Sequence, residues 1–227
     1  EFAHHLDIHD VACIPVSALT GDNVFDGSPN MPWYQGPTLL EVLETVDVST
    51  DVAERAFRMP VQWVNRPNLD FRGFSGTIAS GTVRPSDRVM ACPSERTSTI
   101  SRIVTLDGDL DVAIAGQSIT LVLDDEIDVS RGDILADAEQ APDSTDQFAG
   151  HLIWMHDEPL LPERQYLMKI GTKMTTVQIT DLRHKINVNT MEHVAGKTLE
   201  LNEVAYCNFA LAHAIAFDPY KDVRETG

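Results

Sequence analysis

Arg58-Met59-Pro60-Val61-Gln62-Trp63 and Ser118-Ile119-Thr120-Leu121-Val122-Leu123 are two stretches in which every second residue is apolar. A period of two residues is typical of a β-strand, because successive side chains of a strand point to opposite faces of the sheet. We therefore expect both stretches to be strands that bury one face in a hydrophobic core.

Turn-forming residues recur at short intervals around these two stretches. They occur at positions 72–73, 84–87, 93–94, 107–108 and 131–132. No helical pattern intervenes, and short strands separated by frequent turns favour an antiparallel barrel over a parallel sheet. The sequence thus predicts a first β-barrel over residues 56–144.

A second group of strand-like runs follows a polar stretch with one proline at residues 136–147. These runs occupy residues 151–155, 166–170, 175–179, 199–206 and 209–217. They predict a second β-barrel over residues 145–227. The predicted fold class is mainly β, with two consecutive antiparallel β-barrels.

The residues that precede the barrels follow a different pattern. The apolar run from Val11 to Val16 predicts a buried strand. Pro37 is suited to the first position of a helix, and Leu39, Leu43 and Val46 recur at the spacing of one helix face. The polar residues 47–55 that follow are the predicted linker.

Composition limits the classes of function. Lys and Arg number 17 and Asp and Glu number 35, which gives the chain a formal net charge of −18. A surface that is this acidic repels phosphate backbones and anionic lipids. We therefore expect neither nucleic acid nor a membrane as a partner.

The cysteines and the termini indicate the compartment. Cys13, Cys92 and Cys207 are few, odd in number and far apart, which favours packed thiols in a reducing compartment. No apolar run approaches the length of a membrane span, and the first residues do not resemble a secretion signal. The expected location is the cytoplasm. Because the chain starts with Glu1 instead of Met, we expect it to be part of a longer protein.

Three motifs resemble functional sites without completing them. Gly196-Lys197-Thr198 resembles the end of a phosphate-binding P-loop, but Met191 stands where that motif needs glycine, and a turn before a strand is the preferred interpretation. Asp70-Phe71-Arg72-Gly73 is interpreted as a loop between strands. The histidines at positions 4, 5, 9, 151 and 156 lack a spacing that completes a metal site. We predict no catalytic residue and no metal ligand.

A specific resemblance is carried by longer segments of the chain. These are residues 14–24 (Ile-Pro-Val-Ser-Ala-Leu-Thr-Gly-Asp-Asn-Val), 31–40 (Met-Pro-Trp-Tyr-Gln-Gly-Pro-Thr-Leu-Leu), 60–67, 70–74, 125–133 and 187–190. The sequence resembles the large, GTP-binding subunit family of bacterial sulfate adenylyltransferases (ATP sulfurylases), which are translation-factor-type GTPases. The resemblance covers essentially the whole chain, with small departures such as Glu163 where the family commonly has glycine.

The resemblance implies a fold, cofactors and a partner. In that family a GTPase domain precedes two β-barrels, so residues 1–48 would be the C-terminal remnant of the GTPase domain, its last strand and helix. The backbone N–H groups of Ser17, Ala18 and Leu19 would contact guanine. GTP with Mg²⁺ would bind the complete protein, and ATP would bind the partner, a small catalytic subunit, in a heterodimer or a larger assembly. The second barrel would lack its last strand.

Two alternative functions use the same architecture. One is a translation elongation factor that binds aminoacyl-tRNA, which the acidic composition of the barrels disfavours. The other is a bifunctional sulfurylase subunit with a C-terminal adenylylsulfate kinase. The preferred function is coupling of GTP hydrolysis to the formation of adenosine 5′-phosphosulfate from ATP and sulfate.

Overall fold

A computed structural model describes residues 11–46, 51–68 and 70–227 of the chain. The chain divides into two compact units, residues 1–50 and residues 51–227. The candidate ligands His4, His5 and His9 and residues 47–50 of the predicted linker lie outside the described residues. No helix in the described ranges is long and apolar enough to cross a membrane.

The first unit contains the predicted helix. Helix α1 (Leu39–Thr45) begins after Thr38, whose side chain accepts a hydrogen bond from the backbone N–H of Glu41, while the Glu41 side chain accepts one from the Thr38 N–H. This reciprocal capping box satisfies two backbone donors at the helix start. Pro37 therefore precedes the N-cap, and its predicted place at the first helical position is wrong.

The strand predicted over residues 11–16 is absent. Within residues 11–46, β pairing is confined to a single bridge between Ser17 and Asp22. A strand forms only where a neighbouring strand accepts and donates its backbone hydrogen bonds, and residues 11–46 supply no such neighbour. Leu43 and Val46, on the predicted apolar face of α1, are exposed, because the described residues of this unit do not cover that face.

The second unit is built from antiparallel strands. A short 3₁₀ turn at Asp51–Ala53 lies within the predicted linker, and the described residues after it form ten strands in the first part of the unit. They are β1 (Arg58–Pro60), β2 (Trp63–Asn65), β3 (Gly73–Thr77), β4 (Thr82–Val83), β5 (Arg88–Cys92), β6 (Arg96–Thr105), β7 (Gly108–Leu110), β8 (Ala113–Ile114), β9 (Ser118–Leu123) and β10 (Ile134–Asp137).

The main sheet of this part closes on itself. Its strand order is β1-β10-β5-β6-β9-β3-β2, with β7 paired to β6, and β4 and β8 form a separate pair. Only Val61 and Gln62 separate β1 from β2; their N–H groups donate to Asp133 O at 2.8 Å and Ser75 O at 2.9 Å. One bent segment thus pairs with β10 on one side and β3 on the other, and so joins the two ends of the sheet.

The alternating residues of the first stretches form the core of this barrel, as the period of two predicts. Met59, Val61, Phe74, Leu121 and Leu135 are almost completely buried. Trp63, in contrast, continues the alternation but is 63% exposed.

Five strands form the second part of the unit. They are β11 (Asp143–Ile153), β12 (Gln165–Ile170), β13 (Lys173–Ile186), β14 (His193–Val194) and β15 (Val204–Phe217). The order is β11-β15-β13-β12, with β14 paired to β13. The antiparallel, mainly β class is therefore confirmed, while the domain boundaries stay a prediction; β11 begins within the polar stretch 136–147.

One predicted strand of this part is shorter than expected. The run 199–206 forms a strand only from Val204 onward. Leu199 is fully buried, and its carbonyl oxygen accepts the N–H of Leu160 at 2.8 Å, outside any strand. Leu199 resembles a strand residue because burial of a loop residue leaves the same local pattern as burial in a sheet, whereas Leu201 is exposed.

Candidate functional site

Residues 17–24 form a tight loop held by its own backbone. The Ser17 N–H donates to Asp22 O at 3.2 Å, and the Gly21 N–H donates to Ser17 O at 2.8 Å. Gly21 has a φ of 77° and Asn23 a φ of 54°. Gly and Asn adopt this left-handed conformation more readily than other residues, which explains their place in this turn.

The side chain of Asp22 gathers the polar groups of the loop. Its carboxylate accepts hydrogen bonds from the hydroxyls of Thr20 and Ser28 and from Asn30 Nδ2, the last at 3.0 Å. These hydrogen bonds lower the pKa of Asp22 below its usual value of 3.8, and the one from Ser28 has the largest effect on it. The carboxylate is thus ionised at neutral pH and acts as an acceptor that shapes the loop.

Asn23 fixes the loop to the start of α1. Its side chain is buried, with Nδ2 donating to Pro15 O at 2.9 Å and Oδ1 accepting from the Ser28 N–H at 2.8 Å. Its carbonyl oxygen accepts the N–H of Leu39 at 3.0 Å. The turn-forming composition of this segment is visible in the sequence, but the positioning role of Asn23 depends on contacts that only the structure shows.

Two backbone N–H groups of the loop, those of Ala18 and Leu19, can donate hydrogen bonds to a bound ligand. The N–H of Ser17 is engaged with Asp22, whereas in the described part of the chain the N–H groups of Ala18 and Leu19 donate to no acceptor. Leu19 is 97% exposed. A pair of adjacent, uncommitted N–H groups can hold a carbonyl oxygen; the loop brings no acid or base suited to proton transfer.

The P-loop-like motif has a purely structural setting. Residues 196–198 precede no helix, and the Thr198 hydroxyl donates to the carbonyl oxygen of Leu160. The preference for a turn over a phosphate site agrees with this setting, although the predicted strand after it begins only at Val204. Likewise, Gly73 is the first residue of β3 and follows a loop.

The remaining candidate ligands are not gathered into a site. His156 Nδ1 accepts the N–H of Glu158 at 3.0 Å, and His151 lies on β11 next to Tyr206, with ring centroids 5.0 Å apart. Among the residues with described positions, no three His, Cys, Asp or Glu side chains form a group that could hold a metal ion.

Two of the three cysteines are packed thiols, as predicted. Cys92 and Cys207 are buried, and burial raises the pKa of Cys92 from 9.0 to about 11. Burial, followed by the charge of Asp181, also raises the pKa of Cys207. Cys13 is exposed, so the prediction of a packed thiol is wrong there.

Comparison with known proteins identifies relatives over the whole chain. The sequence is 48% identical over 227 residues to sulfate adenylyltransferase subunit 1 of Aeromonas salmonicida (strain A449). It is 49% identical over the same length to the bifunctional enzyme NodQ of Rhizobium sp. (strain N33). The alignments cover 100% of this chain but 48% and 35% of these relatives, so the chain spans about half the length of the subunit 1 sequences that it matches.

A family model and solved structures agree with the architecture. Residues 147–227 match the family described as GTP-eEF1A C-terminal domain-like. Structures of Sup35 complexed with GMPPNP and with GDP are similar to the chain, with TM-scores of 0.70 and 0.73 and sequence identities of 23% and 22%. Each similarity covers 94% of this chain and 53% of the Sup35 chain. At these identities the similarity establishes the fold.

Proposed function

Because the chain belongs to the sulfate adenylyltransferase subunit 1 family, we propose that it is part of the GTPase subunit of an ATP sulfurylase. In the complete protein, GTP hydrolysis would help to form adenosine 5′-phosphosulfate from ATP and sulfate. The observation that carries the proposal is the sequence identity of 48% to such a subunit across all 227 residues. A phosphosulfate anhydride is uphill from ATP and sulfate, which gives a coupled GTPase a thermodynamic role.

The loop formed by residues 17–24 is proposed to recognise guanine. Among the described residues the N–H groups of Ala18 and Leu19 have no acceptor, and they suit the guanine carbonyl oxygen, which only accepts hydrogen bonds. Ser17 contributes through the turn instead, because its N–H is bound to Asp22. The loop thus fits the base of GTP, and discrimination against adenine follows because adenine carries an amino group at the equivalent position.

The phosphates of GTP and the accompanying Mg²⁺ require other residues. The sequence holds no complete P-loop, and the described residues hold no cluster of metal ligands. We therefore assign to this chain a part in base recognition and in coupling, and no catalytic residue.

We propose that two barrels, residues 56–144 and 145–227, couple GTP hydrolysis to the reaction of the partner. They follow the GTPase remnant at residues 1–48. Side-chain contacts connect these two parts: Lys173 Nζ lies 3.3 Å from Asp133 Oδ1, and the Thr172 hydroxyl donates to Val61 O at 2.8 Å. Such contacts let both parts respond together to the nucleotide. In the second of these parts the edge strands of the main strand order are β11 and β12.

The partner is proposed to be the small catalytic subunit, which binds ATP, in the cytoplasm. A net charge of −18 suits a protein partner better than RNA, because an acidic surface repels phosphates. An elongation factor that carries aminoacyl-tRNA would need a basic face.

The proposal is tested with the complete protein that contains this sequence. It is co-expressed with a small catalytic subunit, and pyrophosphate release from ATP and sulfate is measured with GTP, with GDP and without nucleotide. We expect faster release with GTP than with GDP. Equal rates under all three conditions, together with salt-sensitive binding of aminoacyl-tRNA, would replace the proposal with the translation-factor function.

A further inference from the structure

Four aromatic rings form a continuous row on the outer face of the second sheet. His151 on β11 lies next to Tyr206 on β15, Tyr206 next to His184 on β13, and His184 next to His193 on β14. The successive ring centroids are 5.0, 5.7 and 3.8 Å apart. Tyr206 faces outward because its neighbours Ala205 and Cys207 are fully buried on the other side of β15.

The row carries cationic groups but no paired anion. Arg183 extends over the ring of Tyr206, with Cζ 5.8 Å from the ring centroid. Among the described residues, His151, His184 and His193 form neither an ion pair nor a hydrogen bond through a ring nitrogen. Three titratable imidazoles and one guanidinium thus lie together on a chain whose overall charge is −18.

Among the described residues, the neighbouring carboxylates contact other groups, and none forms an ion pair with a ring of the row. Glu203, before β15, is bound to Lys185 Nζ of β13 at 2.5 Å. Glu192, before β14, accepts a hydrogen bond from the Thr190 hydroxyl at 3.1 Å. Asp181 lies on β13, and its charge helps to raise the pKa of the Cys207 thiol. After burial, the pKa of His184 is lowered by the guanidinium of Arg183 and by His193 and His151, which are cationic when protonated.

The geometry makes full protonation of the row unfavourable without a counter-ion. His184 and His193 are stacked with an interplanar angle of 18°, so two positive charges would lie face to face. Partial burial, followed by the charges of His193, His151 and Arg183, lowers the pKa of His184 below 6.5. An anion bound beside the rings would reverse this effect, because an opposite charge favours the protonated imidazole.

We propose that His184, His193 and Arg183, with His151 adding charge from the other side of Tyr206, form a binding site for a small oxyanion of the sulfate or phosphate type, which fills as the imidazoles take up protons. The imidazole N–H groups and the guanidinium supply hydrogen-bond donors, and the protonated rings supply charge. Binding of the anion and of protons is therefore linked. This site is independent of the guanine-binding loop and of the proposed enzymatic function.

The test is a titration of the 227-residue chain by NMR, which follows the histidine ring signals in sodium chloride, sodium sulfate and sodium phosphate at matched ionic strength. We expect sulfate and phosphate, relative to chloride, to raise the pKa of His184 and His193. A rise of one pKa unit means about tenfold tighter anion binding to the protonated site. Equal pKa values in the three salts would overturn the proposal.

Two substitutions and a control separate a site from general screening by salt. Arg183→Gln and His193→Gln each remove one cationic group from an exposed position and should reduce the sulfate effect on His184. His213→Gln, on an exposed position of β15 outside the row, should leave that effect unchanged. A sulfate effect that persists at full size in both Arg183→Gln and His193→Gln, or that is equally large at His213, would contradict a localised site.

Discussion

Arg58 Nε lies 2.9 Å from Asp218 Oδ2, although 160 residues separate the two in the sequence. Arg58 Nη2 also donates to Asp218 Oδ1 at 3.0 Å, and the Thr226 hydroxyl donates to Asp218 Oδ2 at 2.8 Å. The side chains of Arg58 and Asp218 are only 6% and 9% exposed. This bidentate ion pair joins β1 to the residues that follow β15, and so connects the two sheets.

Removal of one partner of this ion pair should destabilise the fold strongly. In Asp218→Asn the guanidinium of Arg58 stays buried without its counter-charge, and we expect a loss of about 3 kcal/mol in the free energy of unfolding. Urea denaturation followed by tryptophan fluorescence measures the loss. The double variant Arg58→Met/Asp218→Leu leaves no unpaired charge. Its loss in the free energy of unfolding should therefore be smaller than the sum of the losses in Arg58→Met alone and Asp218→Leu alone.

The exposed ion pair between Arg102 and Asp109 is the matched control. Its side chains are 53% and 47% exposed, with the Nε–Oδ2 distance 2.7 Å. Arg102→Met should cost much less than Asp218→Asn, because solvent screens surface ion pairs. Equal losses in Asp218→Asn and Arg102→Met would show that burial does not govern the strength of these pairs.

The guanine-binding proposal predicts the effect of removing one backbone donor. In the complete protein, Ala18→Pro deletes an N–H group while changing little else on the exposed surface. We expect the affinity for GDP to fall by about tenfold, the value of one hydrogen bond to a carbonyl of about 1.4 kcal/mol. Fluorescent GDP binding is the measurement.

Ala18→Gly serves as the control for this substitution, because it changes the side chain and keeps the N–H. It should bind GDP nearly as tightly as the unaltered protein. Retention of full GDP affinity by Ala18→Pro, with its fold intact by circular dichroism, would remove Ala18 from the proposed base contact.

The three cysteines should differ in their rate of reaction with a thiol reagent. Cys13 is exposed, whereas burial raises the pKa of Cys92 to about 11, so that at pH 8 only about one Cys92 thiol in a thousand is ionised. With Ellman's reagent we expect one fast thiol in the native chain and three in denaturant. Cys13→Ser should abolish the fast phase; a fast phase that survives this change would assign it to Cys92 or Cys207.

The lowered pKa of His184 predicts a pH dependence of stability. Because the unfolded chain binds a proton at this position near pH 6.5 and the folded chain binds it only at lower pH, acidification through this window favours the unfolded state. The contribution of His184 is therefore fully favourable above about pH 6.5 and is lost as the pH falls towards the folded pKa. Thermal unfolding between pH 8 and 5 in chloride measures the effect.

His184→Gln should flatten this dependence relative to His213→Gln. The difference in melting temperature between pH 8 and pH 5 is the quantity to compare. An identical difference in His184→Gln and in the unaltered chain would show that other groups cause the acid sensitivity.

Several features of this protein follow from its sequence alone. The period of two residues over 58–63 and 118–123 identified strands, because burial of one sheet face demands that alternation. The spacing of Leu39, Leu43 and Val46 identified α1, whose capping box is local to residues 38–41. The composition of residues 17–23 indicated a turn. In each case the signal is a pattern of residues that lie close together in the sequence.

Tertiary structure decided which distant residues meet. The order of the strands, the ion pair of Arg58 with Asp218 and the row from His151 to His193 each join segments that no local period relates. Tertiary structure also decided two exceptions to the predicted strands: residues 11–16 form no strand, and Leu199 is buried outside a sheet. Both depend on neighbouring segments, because pairing and burial need a partner that the segment itself does not contain. Hydrogen bonds and packing between remote residues are set by chain topology, which a pattern of a few consecutive residues does not contain.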